Sequence, residues 1–226
     1  MGIIHSMPYI GGIMKEVFEF LSGAINANEF HQMLADKPEI LDWLQSLIPE
    51  GLTDIEDPFW QSITDRVMMP SVGFRIRNYL SDYMDLKTVA GRCCVYSLFY
   101  QLVSTKYSSV EATTKYQDEY GLLLDVMPDY IDGKEAEELI GRILDNIPMT
   151  KSKGDRRKLL KAAIKKAFHL TDNSKYPRWV QAAEWPFHNG RPMKFVVSEH
   201  KKNDEKYSYL FVDPESGLQK TVEQYW

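Results

Sequence analysis

The stretch VAGRCCVYSLFYQLV, residues 89–103, decides the fold of the N-terminal part of this chain. Its residues are apolar on nearly every face of a helix, which is typical of a helix surrounded by other helices. We therefore predict that it forms the centre of a helical N-terminal domain.

Helices are predicted on both sides of this central stretch. Apolar residues recur at helical spacing from Ile13, which predicts a first amphipathic helix. Asn28 is the predicted N-cap of a second helix, and Pro38 suits the first turn of a third. Further helices are predicted over 58–68, 72–84, 86–106, 110–127 and 134–147. Together these helices make up a predicted domain at 13–148.

A basic amphipathic helix is predicted at 149–170. Its basic residues are Lys151, Lys153, Arg156, Arg157, Lys158, Lys161, Lys165 and Lys166. Such a cluster can neutralise phosphates, so one alternative function is a nucleic-acid-binding or regulatory protein that uses 150–170. The helix has no interleaved aromatic residues and the whole chain is acidic, which favours docking on the acidic half or simple solvation over nucleic acid.

Beyond residue 171 the sequence changes to a β pattern. The ranges 193–199, 207–212 and 219–225 are short, aromatic and β-branched, and residues 213–217 have turn composition. They predict a small antiparallel sheet in a β-rich region at 171–226, either packed on the helical domain or separate from it. The predicted fold class is therefore α+β.

Composition and charge limit the classes of protein to which this chain can belong. The 226 residues are 44% hydrophobic, with a net charge of −5, which indicates a globular chain. Up to Pro148 there are 11 basic and 23 acidic residues, and after it 16 basic and 9 acidic residues. No apolar run is long enough to span a bilayer and no secretory signal is evident, so we expect a cytoplasmic protein without membrane partners.

No residue pattern predicts a catalytic, cofactor or metal site. The adjacent cysteines Cys93 and Cys94 indicate ordinary core residues in a reducing compartment. The histidines are scattered, and only His188, in a turn, is retained as a candidate. An enzyme is therefore a second alternative, with His188 meeting the carboxylates of 125–138. Phosphate-binding and metal-ligand motifs do not occur in the sequence.

One segment is unusually dense in aromatic residues and proline. Residues 176–195, YPRWVQAAEWPFHNGRPMKF, combine Trp179 and Trp185 with three prolines. Such a segment presents rigid amphipathic surface at a small entropic cost. It either closes a small core or grips a partner, and Trp185 is its candidate partner-binding residue.

Two stretches carry a resemblance to a protein family. They are the C-terminal pattern RWVQxxEWPFxNGxPMKF and the opening EFHQMLADKPEILDWLQSLIP, residues 29–49. With the C-terminal pattern extended through the closing VEQYW, over 178–226, the two stretches span about a third of the chain. They resemble uncharacterised bacterial proteins of the polymorphic-toxin and contact-dependent-inhibition immunity type. The resemblance implies a non-enzymatic cytosolic protein that neutralises a cognate toxin domain by blocking its active site.

The acidic surplus predicts where such a partner would bind. An inhibitor of a nucleic-acid-cutting toxin should present negative charge to a site built for phosphates. The candidate contact residues are Asp54, Glu56, Asp57, Asp125, Asp129 and Asp132. The alternative is that these carboxylates only keep the helices soluble.

Overall fold

The chain has an α+β fold, as predicted. The structure is a computed structural model, and it describes residues 10–48, 85–108, 110–171, 174–200 and 205–226. Within these ranges, helices precede two small antiparallel sheets at the C-terminal end. The helices predicted at 58–68 and 72–84 lie outside the described residues. No helix in the described ranges is long and apolar enough to cross a bilayer.

The secondary-structure elements are numbered in chain order over the described residues. The helices are α1 (Ile10–Ser22), α2 (Ala27–Asp36), α3 (Glu39–Ser46), α4 (Val89–Lys106), α5 (Lys115–Val126), α6 (Lys134–Asp145) and α7 (Lys153–Ala167). The strands are β1 (Phe187–His188), β2 (Arg191–Pro192), β3 (Lys194–His200), β4 (Lys206–Val212) and β5 (Gln219–Tyr225).

The chain divides into two compact units. The N-terminal unit is Met1–Asp118 and the C-terminal unit is Glu119–Trp226. Helices α6 and α7 therefore belong to the same unit as the sheets, whereas the sequence analysis placed α6 in a domain ending at residue 148.

Helix α4 is central to the core of the N-terminal unit. Tyr96 and Phe99 are buried on it, and the Tyr96 hydroxyl donates to the backbone oxygen of Leu21 at 3.2 Å. Phe20 of α1 stacks on Phe30 of α2 with ring centroids 4.2 Å apart. This arrangement confirms the prediction made from residues 89–103. Cys93 and Cys94, predicted as core residues, are half-buried on α4 and form no disulfide.

The N-cap of α2 differs from the prediction. Asn26, not Asn28, caps this helix, because its side-chain oxygen accepts from the backbone N–H groups of Asn28 at 2.9 Å and Glu29 at 3.0 Å. The Glu29 carboxylate in turn accepts from the backbone N–H of Asn26 at 2.8 Å. This reciprocal capping box satisfies donors that the first turn of a helix otherwise leaves unpaired.

The main sheet of the C-terminal unit has the strand order β3-β4-β5, and all pairs are antiparallel. Phe195 pairs with Phe211, and Tyr209 with Val222. The three predicted strands are confirmed. The β1–β2 hairpin was not predicted, and its turn Asn189-Gly190 has positive φ angles of 48° and 71°. The Asn-Gly pair is a known signal for such a turn.

Candidate binding groove

Trp185 lies in the core of the C-terminal unit. Its side chain is 4% exposed, and its ring packs edge-on against Phe168 at 5.3 Å and Phe211 at 5.4 Å. The indole N–H donates to the backbone oxygen of Met193 at 2.8 Å. Trp185 was predicted as a partner-binding residue, but the structure encloses it because both its ring and its N–H find partners within the unit.

Trp179 fixes the first part of the aromatic segment to the sheet. Its ring lies 4.5 Å from that of Tyr209 and nearly parallel to that of Phe211. Its indole N–H donates to the backbone oxygen of Tyr130 at 3.0 Å. The Tyr209 hydroxyl donates to the backbone oxygen of Arg178 at 2.7 Å. Residues 178 and 179 are therefore held in place through both side-chain and backbone groups.

Gln224 of β5 holds the next residues of the segment. Its buried side-chain oxygen accepts from the backbone N–H groups of Val180 and Gln181, both at 3.1 Å. Its side-chain amide donates to the backbone oxygen of Ala182 at 2.7 Å. Sequence reasoning missed this residue, although a glutamine two positions after Val222 stands on the core-facing side of an alternating strand.

These contacts shape an open groove in the C-terminal unit, which we call the aromatic groove. It is lined by residues of two segments, 127–130 and 176–183. Its volume is about 570 Å³, which is within the range of ligand-binding clefts. Because Trp179 and Gln224 fix one of its walls, the groove is largely preformed.

A stacked pair of tyrosines lies in the aromatic groove. The rings of Tyr130 and Tyr176 are 4.3 Å apart and inclined by 13°. Tyr176 is 48% exposed, whereas Tyr130 is half-buried. Burial raises the pKa of Tyr130, the neighbouring Tyr176 raises it further, and the charge of Lys165 lowers it. The pair thus consists of an exposed tyrosine stacked on a half-buried one.

Two opposite charges lie among the groove residues. Arg178 and Asp129 are both exposed, and neither side chain makes a hydrogen bond or ion pair with another residue of the described ranges. Asp129 is thus a predicted contact residue that lines the groove. Asp125 and Asp132 are also exposed, at the end of α5 and before α6. The predicted contacts Asp54, Glu56 and Asp57 lie outside the described residues.

His188 lies beside a different carboxylate from those predicted. Its ring Nε2 is 3.7 Å from Oδ2 of Asp213, which is buried at the end of β4. That oxygen accepts a 2.6 Å hydrogen bond from the Ser216 hydroxyl. A nucleophilic serine would instead donate to the histidine. The predicted partners of His188 were the carboxylates of 125–138, and the aromatic groove, which includes Asp129, does not include His188 in its lining.

Removing the Ser216 hydroxyl should make the stability of the fold vary less with pH in the acid range. The hydrogen bond from Ser216 chiefly lowers the pKa of Asp213, followed by that from the backbone N–H of Glu215. A carboxyl with a lowered pKa stabilises the fold above its unfolded pKa of about 3.9, and this stabilisation is lost as pH falls through the folded pKa. We expect Ser216→Ala to melt at a lower temperature than the parent at neutral pH.

The difference in melting temperature should shrink as pH falls below the folded pKa of Asp213. Thermal unfolding followed by circular dichroism across the acid range measures it, with the exposed Ser198→Ala in β3 as control. A difference that stayed constant over the whole range would contradict a role through Asp213.

Comparisons with protein-family models, with curated proteins and with solved structures return no match for this chain. In the described ranges, no three or more His, Cys, Asp or Glu side chains are grouped as metal ligands. The candidate site is defined by the geometry of the aromatic groove.

Proposed function

We propose that this chain is a non-enzymatic binding protein that holds a partner protein at the aromatic groove. The observation that supports this function is the exposed ring of Tyr176, stacked on Tyr130 in an open groove. Tyrosine supplies a large contact area at a low cost in conformational entropy. The wall held by Trp179 and Gln224 is already ordered, so binding would not have to order it.

The partner that we propose is a cognate toxin domain in the cytoplasm, whose active site would be covered. The resemblance of residues 29–49 and of the aromatic segment to toxin-immunity proteins supports this partner. The exposed carboxylates Asp125, Asp129 and Asp132 support it as well. The negative charge of these three carboxylates would accelerate association with a basic toxin and would matter less for the lifetime of the complex.

The test partner is the product of the neighbouring gene, taken as the cognate toxin. Two variants should change different rate constants for binding to it. Tyr176→Ala should weaken affinity at least tenfold, about 1.4 kcal/mol, through faster dissociation, because a central aromatic anchor is lost. Reversal of Asp125, Asp129 and Asp132 to lysine should slow association at low salt and much less at high salt. Surface plasmon resonance separates the two rates.

The control uses an exposed residue outside the groove lining. Leu218→Ala removes a 48% exposed apolar side chain and should leave both rates unchanged. Reversal of Asp54, Glu56 and Asp57 to lysine tests the other predicted acidic set. Circular dichroism checks that each variant is folded. Unchanged rates for Tyr176→Ala and for both charge reversals would refute binding at these surfaces.

A further inference from the structure

Four cations follow one side of α7. Arg157, Lys158, Lys161 and Lys165 are spaced by one, three and four residues, which places them within about 100° of the helix circumference over about 12 Å. We call this set the basic stripe. Its first three members are exposed, and Lys165 is half-buried. Lys158 and Lys161 make no hydrogen bond or ion pair with any residue of the described ranges.

The basic stripe is unfavourable for the helix that carries it. Arg157 and Lys161, and Lys161 and Lys165, are like charges four residues apart, which destabilise a helix. Asp155, the one acid of α7, forms no ion pair with these cations, and its carboxylate accepts a 2.7 Å hydrogen bond from the N-cap Ser152. Departures from local stability rules are expected at functional surfaces.

The first residue of the basic stripe bonds to the chain just before one segment of the aromatic groove. Arg157 Nη2 donates to the backbone oxygen of Asp125, at 3.3 Å, two residues before the groove segment 127–130. At the other end of α7, Phe168 packs against Trp185, and Trp185 against Tyr130. The charge of Lys165 also acts on the Tyr130 hydroxyl. Both ends of the basic stripe therefore lie near the segment 125–130, which carries Tyr130.

Further cations flank the exposed tyrosine. Lys175 and Arg178 are exposed on either side of Tyr176 and Pro177. We propose that the basic stripe and the Tyr130–Tyr176 pair bind single-stranded nucleic acid, with the cations on phosphates and a base stacked on Tyr176. Positive grooves combined with aromatic platforms are how proteins hold unpaired strands, because every base has a π face.

Other polyanions fit this surface less well. A membrane-surface helix would need an exposed apolar face, but Leu160 and Ile164 of α7 are buried. An acidic peptide would use the cations without needing the tyrosine stack. The lack of aromatic residues interleaved with the cations of 150–170 counted against a nucleic-acid partner. The structure supplies two aromatic rings from other segments of the chain.

The carboxylates of Asp125 and Asp129 flank the same surface and oppose phosphate. Replacing both with asparagine should therefore tighten binding of nucleic acid. The same carboxylates are proposed to accelerate association with a basic toxin. The same substitutions should therefore slow association with the toxin. An oligonucleotide assay needs no toxin, so its outcome is independent of the proposed function.

The test is fluorescence anisotropy of a labelled 20-nucleotide oligo-dT with the full chain. We expect binding at 20 mM salt that weakens about 100- to 1,000-fold at 200 mM, the slope for three to four phosphate contacts on a single strand. Lys158→Ala with Lys161→Ala should weaken binding and flatten the salt slope by about 1.4, or 0.7 per lost contact. Tyr176→Ala should weaken binding about 5- to 100-fold without changing the slope.

The exposed Lys220→Ala in β5 serves as the control and should bind as the parent does. No binding at 20 mM salt would overturn the proposal, as would parental affinity for Tyr176→Ala or for the double lysine variant. Equal affinity for a 20-base-pair duplex would show that unpaired bases are not read. If poly-glutamate displaced the labelled oligo-dT as well as unlabelled oligo-dT does at the same concentration of negative charge, the surface would bind acidic protein segments instead.

Discussion

Trp185→Ala should destabilise the C-terminal unit by about 3–5 kcal/mol, the range for truncating a buried aromatic residue. The ring is 4% exposed and packs against Phe168 and Phe211. Truncation would leave a cavity between α7 and the sheet, and it would leave the backbone oxygen of Met193 without its indole donor. Amide hydrogen exchange of β4 and β5 measures the stability of this unit separately from that of the N-terminal unit.

Trp226→Ala is the matched control, since Trp226 is 82% exposed at the end of the chain. Its loss should change the exchange rates by the equivalent of about 0.5 kcal/mol or less. If both variants left the exchange of β4 and β5 unchanged, Trp185 would not be closing the core.

The sequence could predict the main strands but not which tryptophan would be buried. Alternating apolar residues and a turn-rich interval located β4 and β5 closely, because the side-chain period of a strand is a local property. The aromatic segment was consistent with both a core and a contact surface. Burial of Trp185 depends on Phe168 and Phe211, which are distant in sequence, so local composition could not decide between the two.

The helix boundaries show which local signals were missed. Asn26 and Asn28 are both suitable N-caps two residues apart, but Glu29 follows Asn26 at the capping-box spacing of three. Helix α5 begins at Lys115, whereas its apolar pattern predicted a start at 110. Apolar periodicity marks the helix interior better than its ends.

The aromatic groove could not be derived from sequence spacing. Its two segments, 127–130 and 176–183, are separated by more than 40 residues, including α6 and α7. Sequence reasoning had selected Asp129 and the aromatic segment for separate reasons. Only the fold brings them together, because Trp179 bonds to the backbone of Tyr130. The same fold brings Tyr130 and Tyr176 to the basic stripe.

Gln224→Met should destabilise the C-terminal unit by about 2–4 kcal/mol, although methionine matches glutamine in length. The substitution removes the acceptor for the backbone N–H groups of Val180 and Gln181 and the donor to Ala182. Three fully buried polar groups left unpaired would cost roughly 3–9 kcal/mol, at about 1–3 kcal/mol each. Two of these three groups belong to exposed residues, Gln181 and Ala182, so the expected sum is smaller.

The pattern of amide exchange distinguishes the loss of these hydrogen bonds from a general loosening of the core. Gln181 lines the aromatic groove, and residues 180–182 all bond to Gln224, so Gln224→Met should increase the amide exchange of 180–182 more than that of β4. Gln219→Met, at an exposed glutamine of the same strand, should change stability by about 0.5 kcal/mol or less. Hydrogen exchange measured by mass spectrometry on both variants makes the comparison. If the two variants behaved alike, the hydrogen bonds of Gln224 would not be what orders the groove wall.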